Sequence, residues 1–160
     1  MKLEHIQLEN WRNYKSLSLD LDPGVNLLVG KNAQGKTNLL EAIIYSGSGR
    51  SFRARQSAEL VSFGEYFAQI EASLYSQERE QTLRWVIFPT GRGRQLYLNG
   101  VKKKTAGEIS GVLQTVLFCP EDLLVLKAGA SARRHLADTA LCQLRPNYEA
   151  ALTEYNRILE

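Results

Sequence analysis

The 160-residue sequence predicts an α/β fold: a phosphate-binding strand–loop–helix unit, an antiparallel β section, and the start of a helical lobe. Three observations predict it. Residues 30–37, Gly-Lys-Asn-Ala-Gln-Gly-Lys-Thr, fit the P-loop pattern G-x-x-x-x-G-K-[ST]. The middle third alternates apolar and polar residues and contains the hairpin signal Asn99-Gly100. From Ser131 onward, apolar residues recur at helical spacing, interrupted only by Pro146.

The elements follow in order. Residues 3–11 read as a first strand with Ile6 and Leu8 on one face. Residues 16–22 alternate without a slip, a half-exposed strand ended by the Pro23-Gly24 turn. Residues 25–29, Val-Asn-Leu-Leu-Val, form an apolar run suited to a buried strand leading into the P-loop. Residues 37–45 read as a helix with Leu40, Ile43 and Ile44 on its apolar face. Residues 46–55 form a polar connection carrying Arg50, Arg53 and Arg55, and Ser46-Gly47-Ser48-Gly49 within it reads as a flexible turn. Ala68, Ile70, Ala72 and Leu74 then alternate with polar residues, and residues 82–88 make another β-branched and aromatic strand. Residues 95–98 run into Asn99-Gly100, a type I′ turn. Residues 115–118 suggest a short buried strand, and Pro120 with Glu121 and Asp122 begins a helix. Ser131 is a candidate N-cap for the helical region that follows. This divides the chain into a nucleotide-binding lobe over residues 1–118 and the start of a helical second lobe over 119–160, which stops in mid-pattern.

Composition excludes several classes. An apolar fraction of 44% and a charged fraction of 23% are ordinary for a globular protein. No run of about 18 apolar residues offers a membrane span, and the N-terminus lacks the apolar region of an export signal. Cys119 and Cys142 are too few for a disulfide framework and read as reduced core thiols of a cytoplasmic protein. The cysteines and histidines have no metal-ligand spacing. A net charge of +3 permits a nucleic-acid partner without arguing for one.

The chemistry of the P-loop explains its residue types. Polyphosphate must meet many donors at once. Gly30 and Gly35 let the backbone turn and approach closely. The amides of Lys31, Asn32, Ala33 and Gln34, with the helix N-terminus, make a concave anion site. Lys36 reaches the β- and γ-phosphates of ATP, and Thr37 places its hydroxyl on Mg²⁺. Hydrolysis also needs an acidic strand end to complete the Mg²⁺ site and an acid to activate water. The one candidate, residues 116–122, puts its acids after Pro120, which should already have turned the chain. A cassette signature of Ser-Gly-Gly flanked by Leu and Gln is also missing. The sequence therefore reads either as a fragment or as a protein that binds nucleotide without hydrolysing it.

Residues 8–14 (Leu-Glu-Asn-Trp-Arg-Asn-Tyr), 23–26 (Pro-Gly-Val-Asn), the P-loop, 50–53 (Arg-Ser-Phe-Arg), 118–123, Gly129 and 133–138 stand in an order that resembles the RecF family of bacterial recombination mediators. The resemblance covers essentially the whole chain, and the last two segments make it specific. It implies an ATPase head of the ABC/SMC type, longer than this chain, with Walker B and signature beyond Glu160. It also implies an ATP-dependent homodimer on double-stranded DNA or single/double-strand junctions. RecR and RecO would be its partners and RecA would be loaded indirectly, with a role in DNA damage and the SOS response. By the same resemblance, Arg12 and Asn13 lie beside the nucleotide phosphates.

Other basic groups carry two readings each. Arg50, Arg53 and Arg55 face phosphate or solvent. Lys102-Lys103-Lys104 protects a hairpin edge or touches DNA. Arg133-Arg134 pairs with acids or with phosphate. Trp11 and Trp85 read as core. Among rivals, another SMC-like head would continue into a coiled coil. A small P-loop nucleotide kinase would need an arginine-bearing lid, against which the antiparallel section argues. A nucleotide-gated binding module without catalysis is a further class.

Overall fold

A computed structural model describes residues 1–90, 93–119 and 129–159. Six strands form one antiparallel sheet: β1 (Lys2–Trp11), β2 (Tyr14–Asp20), β3 (Ala68–Ser76), β4 (Arg79–Ile87), β5 (Arg94–Leu98) and β6 (Val101–Lys103), in the order β2-β1-β3-β4-β5-β6. Period-two alternation sets the two faces. Ile6 and Leu8 of β1, Ile70, Ala72 and Leu74 of β3, and Leu83, Trp85 and Ile87 of β4 are buried together. Their neighbours, such as Gln7, Glu71 and Arg84, form a polar row on the other face. Asn99 (φ 51°) and Gly100 (φ 76°) both lie in the left-handed region between β5 and β6, as a type I′ turn requires.

Helix α1 (Lys36–Ser48) lies on the apolar face. Three aromatic rings fix it there. Tyr45 stands edge-on between Trp11 and Trp85, with centroids 5.5 and 5.4 Å away. Each indole N–H donates to the helix backbone: Trp11 to the Asn38 carbonyl at 2.8 Å, Trp85 to the Ser46 carbonyl at 3.0 Å. Both tryptophans are thus core residues, as their sequence setting predicts.

The buried face of α1 differs from the expected one. Leu39, Ala42 and Tyr45 are buried against the sheet and Ile43 packs partly on the same core, whereas Leu40 and Ile44, with the rest of Ile43, flank a gap of about 360 Å³ facing residues 113–117. The helix is apolar on two sides, and the sheet takes only one of them. Residues 25–29 are a second correction. They form no strand, and Val25, Leu27 and Val29 are 91, 83 and 81% exposed. Strand structure needs a neighbour to take its N–H and C=O groups, and none of the described residues pairs with this segment. Residues 115–118 likewise are not a strand, with Val116 and Phe118 exposed. The helix expected from Pro120 lies outside the described residues, as do Glu121 and Asp122.

Ser46-Gly47-Ser48-Gly49 is not a flexible turn but the last turn and cap of α1. Gly49 (φ 63°) is the left-handed C-cap, and its N–H donates to the Tyr45 carbonyl at 2.7 Å. A Cβ on Gly47 would lie 2.3 Å from the Leu113 carbonyl oxygen, so only glycine lets that segment approach.

Helices α2 (Ala130–Leu144) and α3 (Pro146–Leu159) form a hairpin broken at the proline, as expected. Gly129 is the N-cap of α2, so Ser131 sits inside the first turn rather than capping it. The hairpin docks through Thr115 N–H to Gln143 Oε1 (2.7 Å), through the Ser110 hydroxyl to the Cys142 carbonyl, and through Arg50 to Glu149 (3.4 Å). Cys119 and Cys142 are only half-buried. Among the described residues no helix is long and apolar enough to cross a membrane.

Candidate functional site

The P-loop leads from the exposed 25–29 segment into α1. Gly35 caps the helix in the left-handed region (φ 101°) and no side chain occupies the cap. The first turn carries no acid, so the helix N–H groups and dipole remain available to an anion. The left-handed backbone at Gly35 favours glycine, and a Cβ there would also lie 2.7 Å from the Asn13 amide and 3.0 Å from the Tyr14 hydroxyl. Ala33 (φ 64°) supplies a second left-handed residue. Lys36 curls back over the loop, and its ammonium donates to the carbonyls of Gly30 and Lys31 at 2.7 Å each. Thr37 is exposed in the first turn. The cavity so formed holds about 330 Å³ and is lined by residues 32–38 and Arg53. Crevices of about 480 and 680 Å³ lie against α2 and α3, and they and the gap of about 360 Å³ beside α1 are all larger than this cavity. None of these carries the G-x-x-x-x-G-K-[ST] loop, so the P-loop cavity is the candidate site.

Structure separates the three arginines. Arg53 joins the P-loop: its Nη2 donates to Asn38 Oδ1 at 2.6 Å and to Glu41 Oε2 at 2.9 Å. Arg50 pairs with Glu149 on α3 instead. Arg55 offers its backbone N–H to Glu59 Oε1 at 2.9 Å and keeps an exposed side chain.

Arg12 and Asn13 form the two-residue turn between β1 and β2. Asn13 touches the loop, donating to the Gln34 carbonyl at 3.3 Å and accepting from Asn38 at 2.7 Å. Arg12 points to the helix: its Nε and Nη2 grip both oxygens of Glu41 at 2.9 and 2.7 Å. Glu41 is fully buried. Burial by itself raises its pKa, but hydrogen bonds from Arg12, Ser51 and Arg53 outweigh that and hold the carboxyl below its ordinary range. Sequence reading missed Glu41, Asn38 and Ser51. One signal for Glu41 was present: a lone acid inside the apolar run of residues 39–44.

The P-loop reading agrees with comparisons to known proteins. Residues 1–83 match the family described as AAA ATPase domain. The chain is 41% identical over all 160 residues to the DNA replication and repair protein RecF of Staphylococcus epidermidis, covering 43% of that protein. It is 36% identical over 159 residues to the protein of the same name from Acetivibrio thermocellus, again 43% of its length. A solved structure of the recombination mediator protein RecF-ATP in the RecFOR pathway superposes with a TM-score of 0.91 at 39% identity, over 98% of this chain and 42% of that one. A structure from work on SMC ATPases superposes at 0.67 with 23% identity, over 86% of this chain and 98% of that one, a likeness of fold. The chain therefore spans well under half the length of the curated relatives it matches.

Proposed function

This chain belongs to the AAA ATPase domain family, and we propose that it forms the ATP-binding part of a RecF-like recombination mediator acting in DNA replication and repair. The observation that carries the reading is the P-loop cradle: a helix N-terminus with no side-chain cap, a left-handed glycine at its mouth, and Lys36 bonded to the loop's own carbonyls. These are the donors a polyphosphate needs, and they converge on one cavity. Residues 31–36 would hold the phosphates, with Thr37 on Mg²⁺ and Asn13 and Arg53 flanking. ATP with Mg²⁺, when bound, supplies the concentrated negative charge that would join two such heads. Arg12 acts from behind the loop, through Glu41, rather than at the phosphates.

We extend the proposal by the family resemblance, beyond what the names of the relatives state. The longer protein binds double-stranded DNA or its junctions, dimerises on ATP, and works in the cytoplasm with RecR and RecO to help load RecA during the SOS response. Residues 1–118 form the nucleotide lobe and 119–160 begin a second, helical lobe. Support for that division is the order of elements: the last described strand ends at Lys103 and the α2–α3 hairpin follows the strands. This chain alone binds ATP without efficient turnover. Calorimetric titration with Mg-ATP should show saturable binding, and steady-state assays should show turnover far below that of a full-length relative. Lys36-dependent turnover near the full-length rate would sink this reading, and Glu121 and Asp122 would then be the first residues to mutate.

A further inference from the structure

We propose that Glu41 is a positioning residue of the nucleotide site: from inside the fold it holds Arg12 and Arg53, and through Asn38 and Asn13 it sets the conformation of the P-loop. The inference rests on reading the P-loop as the ATP site. Its basis is a continuous set of hydrogen bonds. The Glu41 carboxylate accepts from Arg12 Nε (2.9 Å) and Nη2 (2.7 Å), from Arg53 Nη2 (2.9 Å) and from the Ser51 hydroxyl (2.5 Å). Arg53 Nη2 also donates to Asn38 Oδ1 (2.6 Å), Asn38 Nδ2 to Asn13 Oδ1 (2.7 Å), and Asn13 Nδ2 to the Gln34 carbonyl (3.3 Å). One buried acid thus reaches the P-loop backbone through three side chains.

Each link fixes a different segment. Arg12 belongs to the β1–β2 turn, Ser51 and Arg53 to the stretch after α1, and Glu41 to α1 itself. The Ser51 hydroxyl gives its proton to Glu41 and accepts the backbone N–H groups of Arg53 (2.9 Å) and Ala54 (2.7 Å), so the acid also shapes that turn. Arg12 adopts a left-handed backbone (φ 52°), a conformation glycine takes at less cost. It is held by its N–H to the Leu60 carbonyl and by the Ser62 hydroxyl on its own carbonyl. Such local strain, tied down from several sides, aims the guanidinium at Glu41.

Charge alone does not explain the arrangement. Two guanidiniums meet one carboxylate, leaving a surplus positive charge beside a phosphate loop. If Glu41 only tempered that charge, its neutralisation would strengthen phosphate binding. A positioning role predicts the opposite, because Arg53 and the Asn38–Asn13 relay would lose their anchor.

The test compares the parent chain with Glu41→Gln, Arg53→Ala, the double variant, and Asn38→Ala. One arm is calorimetric titration with Mg-ATP. Glu41→Gln should weaken binding about tenfold, and the double variant should be no weaker than Arg53→Ala by more than about twofold, since residues acting as a unit are not additive. A second arm is backbone hydrogen exchange without nucleotide. Segments 12–14, 33–38 and 51–54 should exchange about tenfold faster in Glu41→Gln while β3 and β4 keep their protection. Unchanged or tighter binding, multiplying losses in the double variant, or exchange that rises equally throughout the sheet would overturn the proposal. If Glu41→Gln does not fold, Asn38→Ala decides: it leaves the Glu41–Arg12 pair intact, faster exchange at 33–36 supports the relay, and unchanged exchange there overturns it. A parent chain that does not bind ATP defeats the nucleotide reading alone, because the exchange arm needs no nucleotide.

Discussion

Replacing Lys36 with alanine should separate binding from folding. The Lys36 ammonium makes two hydrogen bonds, to the Gly30 and Lys31 carbonyls, and both lie at the exposed rim of the loop. Such bonds compete with water and contribute little to stability, so Lys36→Ala should lower folding stability by at most about 1 kcal/mol. In a chain of this size that is a melting shift of roughly 2–4 °C. The effect on ATP should be larger. A hydrogen bond to a charged group contributes about 1.5–3 kcal/mol, and each 1.4 kcal/mol is about tenfold in affinity. Lys36→Ala should therefore weaken ATP binding at least about tenfold and up to roughly a hundredfold. Calorimetric titration reads the affinity and thermal denaturation reads the stability. Equal affinities of variant and parent would refute the placement of Lys36. A collapse in melting temperature with unchanged affinity of the folded chain would mean that the lysine serves the fold.

Gly49→Ala should destabilise the chain by about 2–5 kcal/mol in urea titrations, from left-handed strain plus overpacking. Its Cβ would lie 2.5 Å from Trp85 Cη2 at a φ of 63°, and a loss under about 1 kcal/mol would contradict that packing. Glu41 carries a folded pKa below its ordinary value, so its stabilisation is fully present above the unfolded value near about 4.3. It is lost as pH falls through the lowered folded value. The parent's advantage over Glu41→Gln in denaturant midpoint should thus be full at pH 6 and shrink at pH 3, and an advantage that grows on acidification would reverse the assignment. In a full-length protein, Lys102→Ala/Lys103→Ala/Lys104→Ala should keep its ATP response, because Lys102 and Lys103 belong to the edge strand β6. Arg50→Ala/Arg53→Ala should show the larger ATP defect, because Arg53 lines the P-loop cavity. Each basic residue that truly touches DNA should take about one unit from the salt slope when neutralised, and an arginine variant with unchanged ATP and DNA binding would leave that loop without a role.

Local chemistry made much of this protein legible in advance. The P-loop needs particular residues at fixed spacing because backbone geometry and phosphate contact are settled within eight positions. Alternation along β1, β3 and β4 needs only the two-residue period of a strand, Asn99-Gly100 only its own left-handed preference, and the α2–α3 break only the missing N–H of Pro146. Tertiary structure decided the rest, because burial depends on what a surface meets. Hydrophobicity marked residues 25–29 and both sides of α1 as apolar, but only the arrangement of the sheet determined that Leu39, Ala42 and Tyr45 are covered while Val25, Leu27 and Val29 stand exposed. Ser46 to Gly49 looked like a turn by composition, and the approach of Leu113 and Trp85 made it a packed helix end. Arg50, Arg53 and Arg55 are alike in sequence. The fold brings one of them to Asn38 and Glu41, one to Glu149 on α3, and ties one to Glu59 through its backbone N–H, since a guanidinium's partner is chosen by the chain segments that close around it. Glu41 is the clearest case: one acid in an apolar helix acquires its role only when the β1–β2 turn and the stretch after α1 close around it.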